Sequence, residues 1–86
     1  MGINFKKAVA LKYRAELPAP VVIAKGRGSV ADRIIEEANK NNIHIIENQD
    51  LTDLLMKVDV GNYIPPELYK AVAEILVYIK KIEEEV

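Results

Sequence analysis

Residues 21–28 constrain the fold more than any other stretch of this chain. Val21-Val22-Ile23-Ala24 is a short, continuous, mostly β-branched run, the pattern of a strand buried on both faces. Gly26-Arg27-Gly28 then turns the chain. Ser29 and Asp32 make a capping-box-like start, with Asp where Glu or Gln is usual. The spacing predicts a helix from Ser29 to about Asn41. Val30, Ile34 and Ala38 line one face, with Ala31 and Ile35 beside them. Arg33–Glu37 and Glu36–Lys40 are spaced to pair on the wet side. Asn41-Asn42 suits a left-handed exit. Ile43, Ile45 and Ile46 then read as a further strand, ending at Glu47-Asn48. Strand, helix, strand in that length is a βαβ unit, so these two strands are expected to be parallel with a right-handed crossover.

Ahead of this unit, residues 8–13 read as another strand. Leu17-Pro18-Ala19-Pro20 separates the two, because prolines one residue apart interrupt any sheet or helix. Downstream, Asp50 is placed to cap a short helix carrying Leu51, Leu54, Leu55 and Val58. Pro65-Pro66-Glu67 opens a last helix that runs to about Ile82. The expected fold is therefore α/β, a small mixed β-sheet of about three strands with a βαβ unit, packed with three helices. The 86 residues are enough for one domain, spanning 1–86.

The last helix has more apolar surface than such a domain needs. Leu68, Val72, Ile75, Ile79 and Ile82 form one stripe; Tyr69, Ala73 and Leu76 form a second, which Val77 and Tyr78 extend. A surface helix usually shows one apolar face. Either the neighbouring short helix covers the second stripe, or part of it stays open as a protein-binding patch.

Composition removes several function classes. There is no cysteine, which excludes disulfide frameworks and thiolate zinc sites. His44 is the single histidine, too few for an imidazole metal site, and it has no nucleophile–base constellation around it; no catalytic residue, metal or cofactor is expected. Net charge is −1 with interspersed signs, unlike a nucleic-acid binder or polybasic anchor. No stretch approaches the ~20 apolar residues of a membrane span, and no signal peptide is visible. The expectation is a cytoplasmic protein without direct membrane insertion. One small-ligand motif stands out: Gly26-Arg27-Gly28-Ser29-Val30-Ala31 fits the GxGxxA turn, with Glu47 where a ribose-binding carboxylate would stand. Nucleotide binding through Gly26 to Ser29 is the alternative functional reading.

Several words of the sequence, in order and at matching gaps, resemble one family. Ala8-Val9-Ala10-Leu11-Lys12-Tyr13 and Ala19-Pro20-Val21-Val22-Ile23-Ala24-Lys25-Gly26 are similar to the AVALKY and APVVVAKG words of the cytoplasmic domain of FlhB/YscU-type export proteins. Ala31-Asp32-Arg33-Ile34, Glu47-Asn48, Val60-Gly61 with Ile64-Pro65, and the segment from Pro66 to Leu76 extend the likeness across nearly the whole chain. The resemblance implies a protein-binding module of the flagellar or type III export apparatus, acting as a substrate-specificity switch. Its partners would be export-apparatus proteins and export substrates. It also implies an apolar recognition surface at Ala19, Pro20, Ala73 and Leu76.

The chain departs from the family in two ways. The family cleaves itself at Asn-Pro-Thr-His just before AVALKY, when the Asn side-chain nitrogen attacks its own carbonyl and expels the proline nitrogen. Here Asn4 precedes Phe5, and no Asn precedes any proline. No autocleavage or other enzymatic activity is expected. The membrane segment and the strand before the cleavage turn also have no counterpart, so the chain resembles stand-alone FlhB-like, FlhX-type members. Met1 to Lys7 are too few to turn and run back along the first strand. Either Ile3 to Phe5 extend that strand, or its edge takes a strand from a partner. Lys6, Lys7 and Lys12 suit a guarded edge, so a monomer is expected, with dimerisation through the open edge as the other outcome.

Overall fold

The computed structural model describes residues 6–84. Strands β1 (Lys7–Lys12) and β2 (Val21–Arg27) pair antiparallel; helices α1 (Ser29–Lys40) and α2 (Gln49–Leu55) follow. A single 3₁₀ turn, Pro66–Leu68, leads into α3 (Tyr69–Glu84). The register runs from Lys7 opposite Arg27 to Lys12 opposite Val21, with a bulge that leaves Ile23 without a partner.

The two faces of this sheet are built differently. Residues directly opposite one another share a face, so Ala8, Ala10, Ala24 and Gly26 form one side. A Cβ at Gly26 would meet Val30 of α1 at 2.2 Å, which places α1 over that small-residue side. The opposite side carries Val9, Leu11 and Val22. It faces the core of Ala19, Val22, Leu51, Leu55, Ile64, Leu68 and Val72. Lys25 belongs to this second side, where its Nζ donates to the carbonyls of Met56 (2.9 Å) and Val58 (2.8 Å). A lysine from β2 thus satisfies carbonyl groups at the C-terminal end of α2. Lys25→Met keeps the aliphatic stem but removes both bonds. It is expected to cost about 1–2 kcal/mol in urea unfolding; a variant as stable as the parent would show these carbonyls to be equally well solvated.

The α/β class is as expected, but the sheet has two strands and not three among the described residues. Residues 43–48 form neither helix nor strand, so the parallel βαβ pairing is absent. A strand needs a neighbour whose backbone groups are free. β2 has β1 along one side, and the start of its other side is taken by residues 61–64. Val22 N–H donates to Asn62 O, Gly61 N–H to Val22 O, and Ile64 N–H to Pro20 O, at 2.7–3.0 Å. The third edge contact is this short antiparallel bridge, Val21 with Tyr63.

Both helix starts also differ from expectation. Gly28, at φ 57° and ψ −124°, is the N-cap of α1, and no side chain caps it; Ser29 is already helical. That backbone conformation is open to glycine alone. Asn48, not Asp50, caps α2, accepting from the Leu51 N–H at 3.1 Å. The exit from α1 is as read: Asn42 has φ 56°, and Ile43 N–H returns to Ala38 O, a Schellman ending. Of the two ion pairs expected on α1, Glu36–Lys40 forms, at 3.4 Å between exposed groups. The expected extension of β1 by Ile3 to Phe5 concerns positions outside the described residues. No helix among the described residues is long and apolar enough to cross a membrane.

Candidate functional site

The second apolar stripe of α3 stays open. Tyr69, Ala73, Val77 and Tyr78 are exposed and Leu76 is half-buried, so α2 does not cover the band. Tyr69, Ala73, Leu76 and Val77 fall at helical spacings of four, seven and eight residues, which puts them on one face. Facing them is the break between the strands. A turn closed by Leu17 N–H on Arg14 O leads into Pro18-Ala19-Pro20. Pro20 is anchored in turn by Ile64 N–H on its carbonyl at 2.9 Å.

The two walls enclose a hollow of about 290 Å³, lined by Tyr13, Pro18, Ala19 and Pro20 on one side and Tyr69, Ala73, Leu76 and Val77 on the other. No charged side chain lines it. It is walled by proline rings, small residues and two tyrosines whose rings offer apolar faces with one polar tip each. Such a surface suits an apolar side chain of a partner and offers nothing for acid–base chemistry.

All four residues singled out from the sequence meet here, though not equally. Ala73 is exposed and Leu76 half-buried, whereas Ala19 is 4% exposed and belongs to the core. Ala19 therefore forms the floor of the hollow, with buried Pro20 beside it. Tyr13 and Pro18 were not singled out as site residues. Pro18 lies one residue from Ala19 in the same break, and Tyr13 closes the first apolar run. Only the return of α3 across that break brings them in. A second hollow, beside Leu54, Val58 and Leu68, has Lys57 and Glu67 among its lining and contains none of these residues.

The glycine turn does not make the alternative site. Gly28 N–H, which a phosphate would need, donates to Lys6 O at 2.8 Å. Glu47 is exposed on the irregular stretch after α1 and ends no strand. His44 lies exposed on the same stretch.

Comparison with known proteins agrees with this architecture. Residues 5–79 match the model of the FlhB HrpN YscU SpaS family. The uncharacterized protein YlqH of Bacillus subtilis is 46% identical over 82 residues, spanning 94% of this chain and 88% of YlqH. The flagellar biosynthetic protein FlhB of Aquifex aeolicus is 46% identical over 74 residues, 84% of this chain but 21% of that protein. The chain thus spans about a fifth of the FlhB relatives it matches. Among solved structures, the cytoplasmic domain of FlhB from Shewanella putrefaciens superposes with a TM-score of 0.86 at 35% identity, covering 92% of this chain and 66% of that one. The PscU C-terminal domain gives 0.80 at 29% identity, covering 91% and 99%. The sequence words, the fold around them and these relatives agree: this chain belongs to the FlhB HrpN YscU SpaS family of export proteins.

Proposed function

We propose that this chain is a cytoplasmic, non-catalytic protein-binding module of a flagellar or type III export apparatus, and that it engages export proteins through the hollow between Pro18–Pro20 and α3. The observation that carries this reading is the uncharged concavity joining Ala19, Pro20, Ala73 and Leu76 in a member of a family of export proteins. Ala73 and Leu76 lie on the accessible wall, so the pair Ala73→Asp with Leu76→Asp places two carboxylates where an apolar group would dock. Calorimetric titration against a panel of purified export substrates and apparatus domains is expected to show at least about tenfold weaker binding. The fold should survive, because Ala73 is exposed and Leu76 only half-buried. Undiminished binding by a folded double variant would sink the proposal.

The non-catalytic part of the reading rests on the absence of any Asn-Pro bond. Without proline nitrogen as the leaving group, attack by an Asn side chain on its own carbonyl has no favoured outcome. The intact mass after prolonged incubation at neutral pH is expected to equal that of the translated chain, with or without Met1. A fragment pair divided between residues 3 and 8 would overturn this.

A further inference from the structure

Val72 and Ile75 of α3 pack on the core. On the far side of the helix, Val77 is 64% exposed, the highest value of any large hydrophobic residue among the described residues. Val77 comes five residues after Val72 and so lies about 140° from it around the helix, pointing away from the body that α3 packs on. Ala73 and Tyr78 beside it are exposed, and Leu76 is half-buried. These four residues make an open apolar band in the middle of α3.

Charges bracket the band. Lys70 and Glu74 precede Val77, Lys81 and Glu84 follow it, and all four are exposed. None of them takes part in an ion pair among the described residues. Lys70 and Glu84 stand seven residues from Val77 on either side; Glu74 stands three before it and Lys81 four after. At about 100° per residue all four fall within about 60° of Val77. The order along this face is therefore plus, minus, apolar band, plus, minus. A helix with that order is complementary to itself only when reversed. About a two-fold axis at Val77, Lys70 faces Glu84 of the second copy. Glu74 stands on the same flank of the contact as Lys81 of the second copy, within about 1.5 Å of the same level. Both pairs occur twice. Val77 meets its own equivalent at the centre, and Tyr78 meets its own on one flank. Parallel pairing would instead set each charge against itself, which is strongly unfavourable.

We propose that α3 pairs antiparallel with α3 of a second copy of this chain, centred on Val77, and that this pairing covers the open wall of the hollow. Burial of the apolar band drives the contact. The charges fix its direction and register more than its strength, because exposed ion pairs are individually weak. One helix laid on another falls short of the roughly 1,200 Å² at which stable interfaces begin, so the pair is weak and the chain is a monomer in dilute solution. Ala73, Leu76 and Val77 belong both to the hollow and to this contact. An export protein in the hollow and a second copy on α3 therefore exclude one another, and self-pairing shields the band where the chain is locally concentrated.

The test is a charge exchange at Glu74 and Lys81, neither of which lines the hollow, so it reads self-pairing independently of export-protein binding. Sedimentation equilibrium of the 86-residue chain from about 0.02 to 2 mM is expected to show the average mass rising toward that of a dimer. Backbone amide shifts that change on dilution should cluster on α3 and around the hollow. Glu74→Lys alone, or Lys81→Glu alone, sets like charges on one flank and should weaken association about fivefold or more. An equimolar mixture of the two single variants restores opposite charges across the contact, as does the double variant, and both should recover the parent's association. Circular dichroism should be unchanged in every variant, since both positions are exposed. Three results would overturn the proposal. One is a mass that stays monomeric up to about 2 mM. Another is association that neither single variant weakens, or that the mixture fails to recover. The last is a set of dilution shifts on β1 and not on α3, which would assign self-association to the sheet.

Discussion

Ile64→Ala is expected to lower the stability of this protein by about 2–5 kcal/mol, the range for removing a fully buried aliphatic side chain whose site does not collapse. Ile64 is 1% exposed and, with Val22, one of the largest fully buried side chains among the described residues. It belongs to the cluster that joins Leu51 and Leu55 of α2 with Leu68 of the 3₁₀ turn and Val72 of α3. Its backbone also closes the strand-like bridge, donating to Pro20 O. The residue is therefore held in place by main-chain bonding and cannot slide to fill a void. A chain of this size has roughly 4–13 kcal/mol to lose, so the variant approaches global unfolding. Urea denaturation should show the midpoint falling sharply, with Ile64→Val losing only about 0.5–1.5 kcal/mol. If alanine and valine cost the same, the packing assigned to this position is wrong. The effect reaches the hollow too, because Ile64 anchors Pro20, one of its walls.

Gly26→Ala is expected to cost about 2–3 kcal/mol, at the upper end of what overpacking usually does. The added Cβ would lie 2.2 Å from Val30 Cγ1, 2.7 Å from Val30 Cβ and 3.4 Å from Val30 C. Rotating Val30 relieves the first contact but not the second, so α1 must lift from the sheet. Gly26 has no positive φ; its role is close approach between strand and helix, not turn geometry. The partner variant Val30→Gly removes both clashing atoms at the expense of helix propensity, roughly 0.5 kcal/mol. The double variant should accordingly be more stable than the sum of the two single changes implies, a coupling of about 1 kcal/mol or more. Strict additivity would show that the strand–helix contact does not set the cost.

Much of this protein was legible from local pattern. The β-branched run at Val21, the helical spacing of Ile34, Ile35 and Ala38, and the two stripes of α3 each repeat with the period of one element, and a period needs no knowledge of neighbours. The left-handed exit at Asn42 was readable for the same reason. Cap assignments were not, because Ser29 and Asp50 are as suitable as caps as the residues that serve. A single backbone torsion at Gly28 and one side-chain bond from Asn48 decide the matter. Ile43, Ile45 and Ile46 read as a strand on side-chain preference, but a strand exists only where another backbone lies alongside. Residues 61–64 had already taken the start of β2's second edge. Local sequence also marked Ala73 and Leu76 as surplus apolar surface, but it could not say that Tyr13 and Pro18 stand opposite them or that Ala19 forms the floor. That depends on α3 crossing back over a break some fifty residues earlier in the chain. Such a contact is set by how the core packs, and no local period records it.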